Sequence, residues 1–356
     1  MKFDELRFDE ITLNYDKERI PLSAMEREKR QGKYRYYGAQ GIIDYVNDYI
    51  FDGKYLLIAE DGENLKSKKQ NIAQIVEGQF WVNNHAHIVK CNEKCILEYL
   101  AYLVNCKDVS GYITGSAQPK LSQANLNAMT FNIPPVAYQK KCLSVLLPIE
   151  HKIKLNTAIN NNLEQQAQVI FDNMFPNISI GESTIGDTIT PKRGKSLLSK
   201  NAVIGNVPVV AGGLEPSTYH NVANTIAPVL AISASGANAG YVSLWNIPIW
   251  SSDSSFIDSS MTDDVYFWYV LLKKRQKEIY DAQTGSAQPH IYPQHIASMP
   301  IANLNVEEVR RYTSIVTPIF ERIGHNKEEN MKLAKTRDTL LPKLMSGEPD
   351  VSDIDL

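Results

Sequence analysis

The chain has 356 residues, enough for two or three domains that each bury a core of their own. With 43% hydrophobic and 22% charged residues it is excluded from the disordered class. A net charge of −3 excludes a globally basic nucleic-acid binder and leaves room only for local patches, one of them at Lys17, Arg19, Arg27, Lys29, Arg30, Lys33 and Arg35.

The opening residues, MKFDELRFDE, carry charge where a secretory signal needs an apolar run, and no stretch approaches the roughly 18 apolar residues of a membrane span. A cytoplasmic protein with no membrane partner is expected. Strands bounded by Gly, Asp and Asn are predicted at Tyr55 to Ala59 and Ala86 to Val89, then a helix at Ile96 to Val104. His85 and His87 alternate on one face of the second strand, where a structural role outweighs a metal site. Cys91, Cys95, Cys106 and Cys142 lack a completing histidine pair and read as reduced structural thiols. No metal and no cofactor are expected.

The hexapeptide Thr-Gly-Ser-Ala-Gln-Pro follows at Thr114 to Pro119 and returns at Thr284 to Pro289, 170 residues on. Held at that offset, Met129 meets Met299, Pro148 meets Pro318, Asn156 meets Asn326 and Asn160 meets Asn330. Upstream the echo needs small gaps: Tyr34 to Gly41 resembles Val207 to Gly213, Tyr55 to Gly62 resembles Pro228 to Gly236, and Trp81 parallels Trp250. The polar loops diverge most.

From Val136 the period changes. Leu146, Ile149, Ile153, Asn156, Asn160, Leu163, Ala167, Ile170 and Met174 form a seam of three- and four-residue steps, repeated through Val316, Ile319, Ile323, Asn326, Asn330, Leu333, Arg337, Leu340 and Leu344. One apolar stripe cannot be buried alone, and the repeat is its natural partner. Antiparallel pairing sets Asn156 near Asn330 and Asn160 near Asn326, where buried amides fix register. These asparagines, with Ile153, Leu163, Ile323 and Leu333, are the expected helix-pairing residues. Pro148 and Pro318 should end a short leading helix, and Asn177 to Gly186 reads as a linker. The acidic residues Asp253, Asp258, Asp263 and Asp264 read as a solvated loop, and the second half carries a helix near Val265 to Leu272.

The order of variable domain, Thr-Gly-Ser-x-Gln-Pro loop and long helix, stated twice, resembles the DNA-specificity subunits of type I restriction–modification systems over nearly the whole chain. Leu340 to Glu348 and Tyr37-Gly-Ala-Gln-Gly41 add to the likeness, while Tyr138-Gln139 and Glu308-Val309 depart from the family's pattern. The resemblance implies an α+β protein: two mixed α/β target-recognition domains separated by a pair of long antiparallel helices, a coiled-coil spacer, with an internal pseudo-two-fold repeat. The expected division is 1–135 and 177–305 for the recognition domains, 136–176 and 306–347 for the helices, and 348–356 for an acidic tail. The implied partners are double-stranded DNA, two methyltransferase subunits and restriction subunits, with no chemistry in this chain. Methyltransferase and Walker-type motifs are missing, in keeping with a binding role.

Phosphate contacts need Lys, Arg, hydroxyls and amides, and base contacts need Arg, Lys, Asn, Gln or Ser. In the first half the candidates are Arg35, Tyr37, Gln40, Lys66, Lys68, Lys69, Asn83 and Asn84. In the second they are Lys192, Arg193, Lys195, Ser233, Ser235, Asn238 and Ser252. The repeated loop adds Ser116, Gln118, Ser286 and Gln288, which brace the domain or hold a phosphate but cannot discriminate bases, being identical in both halves. A non-enzymatic scaffold with two sheet-bearing binding domains on a helical spacer stays open as the alternative.

Overall fold

In the computed structural model, residues 2–67, 70–115, 118–285 and 288–348 are described. They form two compact units, Met1–His151 with Leu333–Leu356, and Lys152–Lys332. Two long helices, Val136–Met174 and Val306–Ser346, contribute to both.

In the first unit one six-stranded sheet is built around the strand Phe51–Ala59. This strand is flanked by Ala73–Val82 and Ala86–Cys91, with the hairpin Gln31–Gly38 and Gly41–Val46 beyond Ala73–Val82 and the short strand Thr12–Asn14 at the other edge. The inner residues of the central strand are apolar on both faces, because one face packs on the helix Leu97–Cys106 and the other, through Phe51, Tyr55 and Leu57, on Tyr37, Phe80 and Val82. A second small sheet pairs Asp4–Arg7 with Thr130–Ile133, and the Phe8 amide donates to the Met129 carbonyl at 2.8 Å.

The second unit repeats this plan with its sheet split in two. Four strands, Lys192–Arg193, Ser254–Asp258, Val229–Ser233 and Val242–Trp245, form one part. The other three are Val207–Val210, Thr218–His220 and Trp250–Ser251. The segment expected to be a linker is already folded: Ser183–Thr184 pairs with Pro300–Ile301, and the Ile185 amide donates to the Met299 carbonyl at 3.0 Å, as Phe8 does to Met129. The polar look of Asn177 to Gly186 hid this, because a two-residue strand has too few positions to show alternation.

Neither proline ends its helix. Pro148 and Pro318 both face solvent, as do Ser144 and Ser314, whose carbonyls lose their intrahelical donors. Water can satisfy those carbonyls, so the lost bond costs less than the buried stripe returns. Within the second unit the helices run antiparallel: Asn156 Nδ2 donates to Asn330 Oδ1 at 2.9 Å, Asn326 Nδ2 donates to Asn160 Oδ1 at 2.7 Å, and the Tyr312 hydroxyl donates to the Ala167 carbonyl at 3.0 Å. Ile153 and Leu163 are half-buried and Ile323 is buried. The aromatic cluster Phe171, Phe175, Phe267 and Tyr312 ties this part of the pair to the helix Val265–Lys274. Within the first unit the start of the first helix meets the end of the second, where the Tyr138 hydroxyl donates to the Leu344 carbonyl at 3.1 Å. Leu333 is half-buried in that unit. Burial pushes the Tyr138 hydroxyl up to about 12. Gln139 is buried and bonded inward, donating to the Lys94 and Pro134 carbonyls and accepting from the Ile96 amide.

The first unit also holds a buried ionic network. Asp16 accepts from the His87 ring at 2.6 Å and from the Ile88 amide at 2.9 Å, and His87 faces the Leu121 carbonyl with its other nitrogen at 2.8 Å. Arg19 lies 2.9 Å from Glu60, which Lys120 approaches at 3.2 Å. Three of the four acidic positions read as a solvated loop are engaged: Asp253 accepts from Arg193, Asp258 is buried and accepts from the Ile226 amide, and Asp264 accepts from Thr313, while Asp263 is exposed. The four cysteines are free, and the Cys91 thiol is pushed up by its hydrogen bond to Cys95 and by burial. Among the described residues no helix is long and apolar enough to cross a membrane.

Two outcomes follow from this packing. Phe171→Ala should cost about 3–5 kcal/mol in urea unfolding through the cavity it leaves, while the exposed Val169→Ala should stay within roughly 0.5 kcal/mol. Although burial pushes the Asp16 carboxyl up, the His87 hydrogen bond and charge, the Ile88 amide and Arg19 hold it below the ordinary carboxylate value. Its contribution is therefore complete at neutral pH and is lost as pH falls through the depressed folded-state value. Asp16→Asn should cost about 3–5 kcal/mol at pH 7 and progressively less in acid, read as urea midpoints across a pH series.

Candidate nucleic-acid interface

The repeated hexapeptide begins each site, and the same backbone bonds hold it in both units. Thr114 and Lys120 exchange amide–carbonyl bonds of 2.8 Å, as Thr284 and His290 do at 3.0 and 2.8 Å. The loop is then fixed to the end of the central strand: the Leu121 amide donates to the Glu60 carbonyl and the Gly62 amide to the Pro119 carbonyl. In the second unit Ile291 donates to Ala234 and Gly236 to Pro289. Gly115 and Gly285 have φ of +84° and +94°, and a Cβ there would meet the carbonyl oxygen of Gln118 at 2.3 Å and of Gln288 at 2.6 Å. Only glycine closes this turn without strain. Gln118 and Gln288 are exposed at its tip, while Ser116 and Ser286 lie outside the described residues.

A second pair of ties assembles the rest of each rim. Trp81 Nε1 donates to the Ile20 carbonyl at 2.6 Å and Trp250 Nε1 to the Lys195 carbonyl at 2.8 Å. The Asn83 amide donates to the Tyr37 carbonyl and the Ser252 amide to the Val210 carbonyl. Hairpin tip, strand end, repeated loop and the turn after the tryptophan thus meet at one place in each unit.

Around this scaffold the candidates separate. Gln40 and Asn84 are exposed, and the Gln40 side chain lies beside Gly62. Lys66 is exposed on the short helix that follows, and Lys68 and Lys69 lie outside the described residues. In the second unit Lys192, Arg193 and Lys195 are exposed, and Ser235 and Asn238 are half-buried.

Four candidates are corrected by burial. Tyr37 packs edge-on against Phe80, Asn83 is turned inward to accept from the His85 amide, Ser233 lies inside the central strand, and Ser252 accepts from the Leu197 amide. Each of these side chains is buried rather than displayed on the rim. Of the basic stretch, Arg19 and Arg27 pair internally with Glu60 and Asp44, and Arg35 donates to the Glu77 carbonyl.

Two side-chain pairs at the rims were not singled out from the sequence. His85 Nδ1 is 2.6 Å from Asp61 Oδ2 in the first unit, and Arg193 Nη2 donates to Asp253 Oδ1 at 2.6 Å in the second. His85 precedes the strand Ala86–Cys91, so it faces the rim while His87 points into the core. Superposing Trp81 on Trp250 aligns Asn84 with Asp253, and that register is the signal that could have found them. Among the described residues no cluster of three or more His, Cys, Asp or Glu could hold a metal ion.

Comparison with known proteins fits this architecture. The family described as "Type I restriction modification DNA specificity domain" matches residues 5–165. A Haemophilus influenzae protein named as a type I restriction enzyme specificity subunit is 33% identical over 39% of this chain and 35% of its own length. The match therefore spans about a third of that relative. A type I restriction enzyme specificity subunit of Methanocaldococcus jannaschii is 26% identical over 73% of this chain and 70% of its own. The crystal structure of a type I restriction–modification S subunit from M. genitalium shares the fold, with a TM-score of 0.63 at 16% identity, covering 98% of this chain and 97% of that one. The family's model matches the first half of the chain, the relatives named are similar to it, and the fold is shared with an S subunit, all in keeping with the doubled plan of sheets and long helices.

Proposed function

We propose that this chain is the non-catalytic, sequence-reading subunit of a cytoplasmic type I restriction–modification assembly. It recognises an interrupted double-stranded DNA target and docks two methyltransferase subunits and, in the full complex, restriction subunits. Residues 1–135 and 177–305 each read one half-site, and the helical segments 136–176 and 306–347 set the gap and carry the docking surface, with 348–356 as a tail.

The observation that carries this reading is a duplicated backbone with divergent side chains. The hydrogen bonds that hold each rim are the same in both units, whereas Gln40, Asn84, Asp61 and His85 on one rim are met by Arg193, Ser235 and Asp253 on the other. A reader of two unlike half-sites needs that combination, because direct readout depends on the donor and acceptor pattern of each side chain. Gln118 and Gln288, common to both, suit phosphate contact or bracing.

Exchanging residues 1–135 for those of another family member should change one half-site and leave the other intact, as read by methylated-base sequencing of host DNA. Loss of both half-sites, or change of neither, would overturn the reading. The asparagine rungs generate a second outcome. Replacing Asn160 and Asn326 by Leu should relax the register, so that the complex accepts sites whose gap differs by a base pair, measured by competition binding. Unchanged gap discrimination would remove that role from the rungs.

A further inference from the structure

Arg193 is an exposed cation of the second rim that is held both through its backbone and through its side chain. Its backbone pairs with Ser255 in the strand Lys192–Arg193. The next two residues are pinned as well, the Gly194 amide donating to the Ser254 carbonyl at 2.8 Å and the Lys195 amide to the Ser251 carbonyl at 2.9 Å. A Cβ at Gly194 would sit 2.5 Å from the Ser251 carbonyl oxygen, so the chain crosses there in contact with its neighbour. The side chain is held too. Nη2 donates to Asp253 Oδ1 at 2.6 Å, and the other carboxylate oxygen, Oδ2, accepts from the Ser235 hydroxyl. Ser235 in turn bridges to His290 at the end of the repeated loop.

One edge of the guanidinium is thus anchored by a carboxylate that is itself anchored, while the Arg193 side chain remains 42% exposed. Its remaining N–H groups are left to offer an outside acceptor a planar, preset fork. A phosphate contact needs no such buttress, since a flexible lysine serves. A fork fixed at a set angle suits the paired O6 and N7 acceptors of guanine in the major groove. Asp253 is neutralised by the pair, which removes its repulsion from the DNA backbone. Among the described residues the corresponding junction of the first rim is closed by Asp61 and His85 instead, and Arg19 is buried against Glu60.

We propose that Arg193, positioned by Asp253 and Ser235, is the guanine-reading residue of the second half-site. This rests on the DNA-reading function proposed above.

The test uses the full chain assembled with its methyltransferase subunit and selection from duplexes randomised in both half-sites. The wild type should select a guanine at one position that Arg193→Ala loses, with discrimination there falling roughly 5- to 150-fold while the other half-site is unchanged. Arg193→Lys keeps the charge and removes the fork, so it should lose the same guanine yet keep the salt dependence of binding. Asp253→Asn should weaken that preference in part. If Arg193→Ala weakens all sequences equally and flattens the salt slope by about one unit with the guanine retained, Arg193 is a phosphate contact and the assignment falls. An unchanged selection in both Arg193 variants overturns it equally. A wild-type complex that selects no sequence at all would overturn the functional reading itself, an outcome separable from the other two.

Discussion

A long helix with a single apolar stripe cannot hold itself in water, and that constraint organises this molecule. Each helix is too polar on its outer face to be a core element and too apolar along its seam to stand alone. Pairing with its own repeat resolves both, and because the repeat follows a full domain later in the chain, antiparallel contact is natural. Asn156, Asn160, Asn326 and Asn330 then place two amide rungs where leucine would bind more tightly but in any register. Stability has been exchanged for a defined alignment.

The same economy governs the sheets. Bonds between backbone groups recur from one unit to the other: Phe8 to Met129 and Ile185 to Met299, Gly62 to Pro119 and Gly236 to Pro289, Asn83 to Tyr37 and Ser252 to Val210. Backbone contacts are indifferent to side-chain identity, so a duplicated chain can drift in sequence without losing them. Positions where the side chain itself enters the tie, such as the two tryptophans and Gly115 and Gly285, are those that stay the same. The identity of the hexapeptide is therefore explained by the turn it must close, a positive-φ glycine with its Cβ position already occupied by a carbonyl.

This division accounts for what could be read in advance. The offset of 170, the heptad seam and the strand-rich domains depend on periodicity and identity, which are properties of the sequence itself, and the fold class came from the family resemblance they support. Burial of Tyr37, Asn83, Ser233 and Ser252 did not, because it depends on which strand lies alongside, set by residues roughly 20 to 45 positions away. The continuous helices through Pro148 and Pro318 were missed for a related reason. A proline's cost depends on whether the carbonyl it orphans meets water, and only the tertiary structure says which face that carbonyl is on.

The charge balance also gains a physical reading. The basic stretch near the start of the chain looks like a patch in sequence, yet Arg19, Arg27 and Arg35 spend their donors on Glu60, Asp44 and the Glu77 carbonyl. What is left among the described residues is a scatter of exposed cations, Lys17, Lys29, Arg30, Lys33, Lys66, Lys192 and Lys195, on a chain of net charge −3 rather than a strongly basic field. Such a surface can discriminate among bases but supplies little of the counterion-release energy that holds proteins to duplex DNA. On the proposed reading, bulk affinity must come from the partner subunits gathered on the helices. Separating affinity from discrimination has a consequence for how the family can vary: rim side chains are free to change specificity without altering how firmly the complex holds DNA.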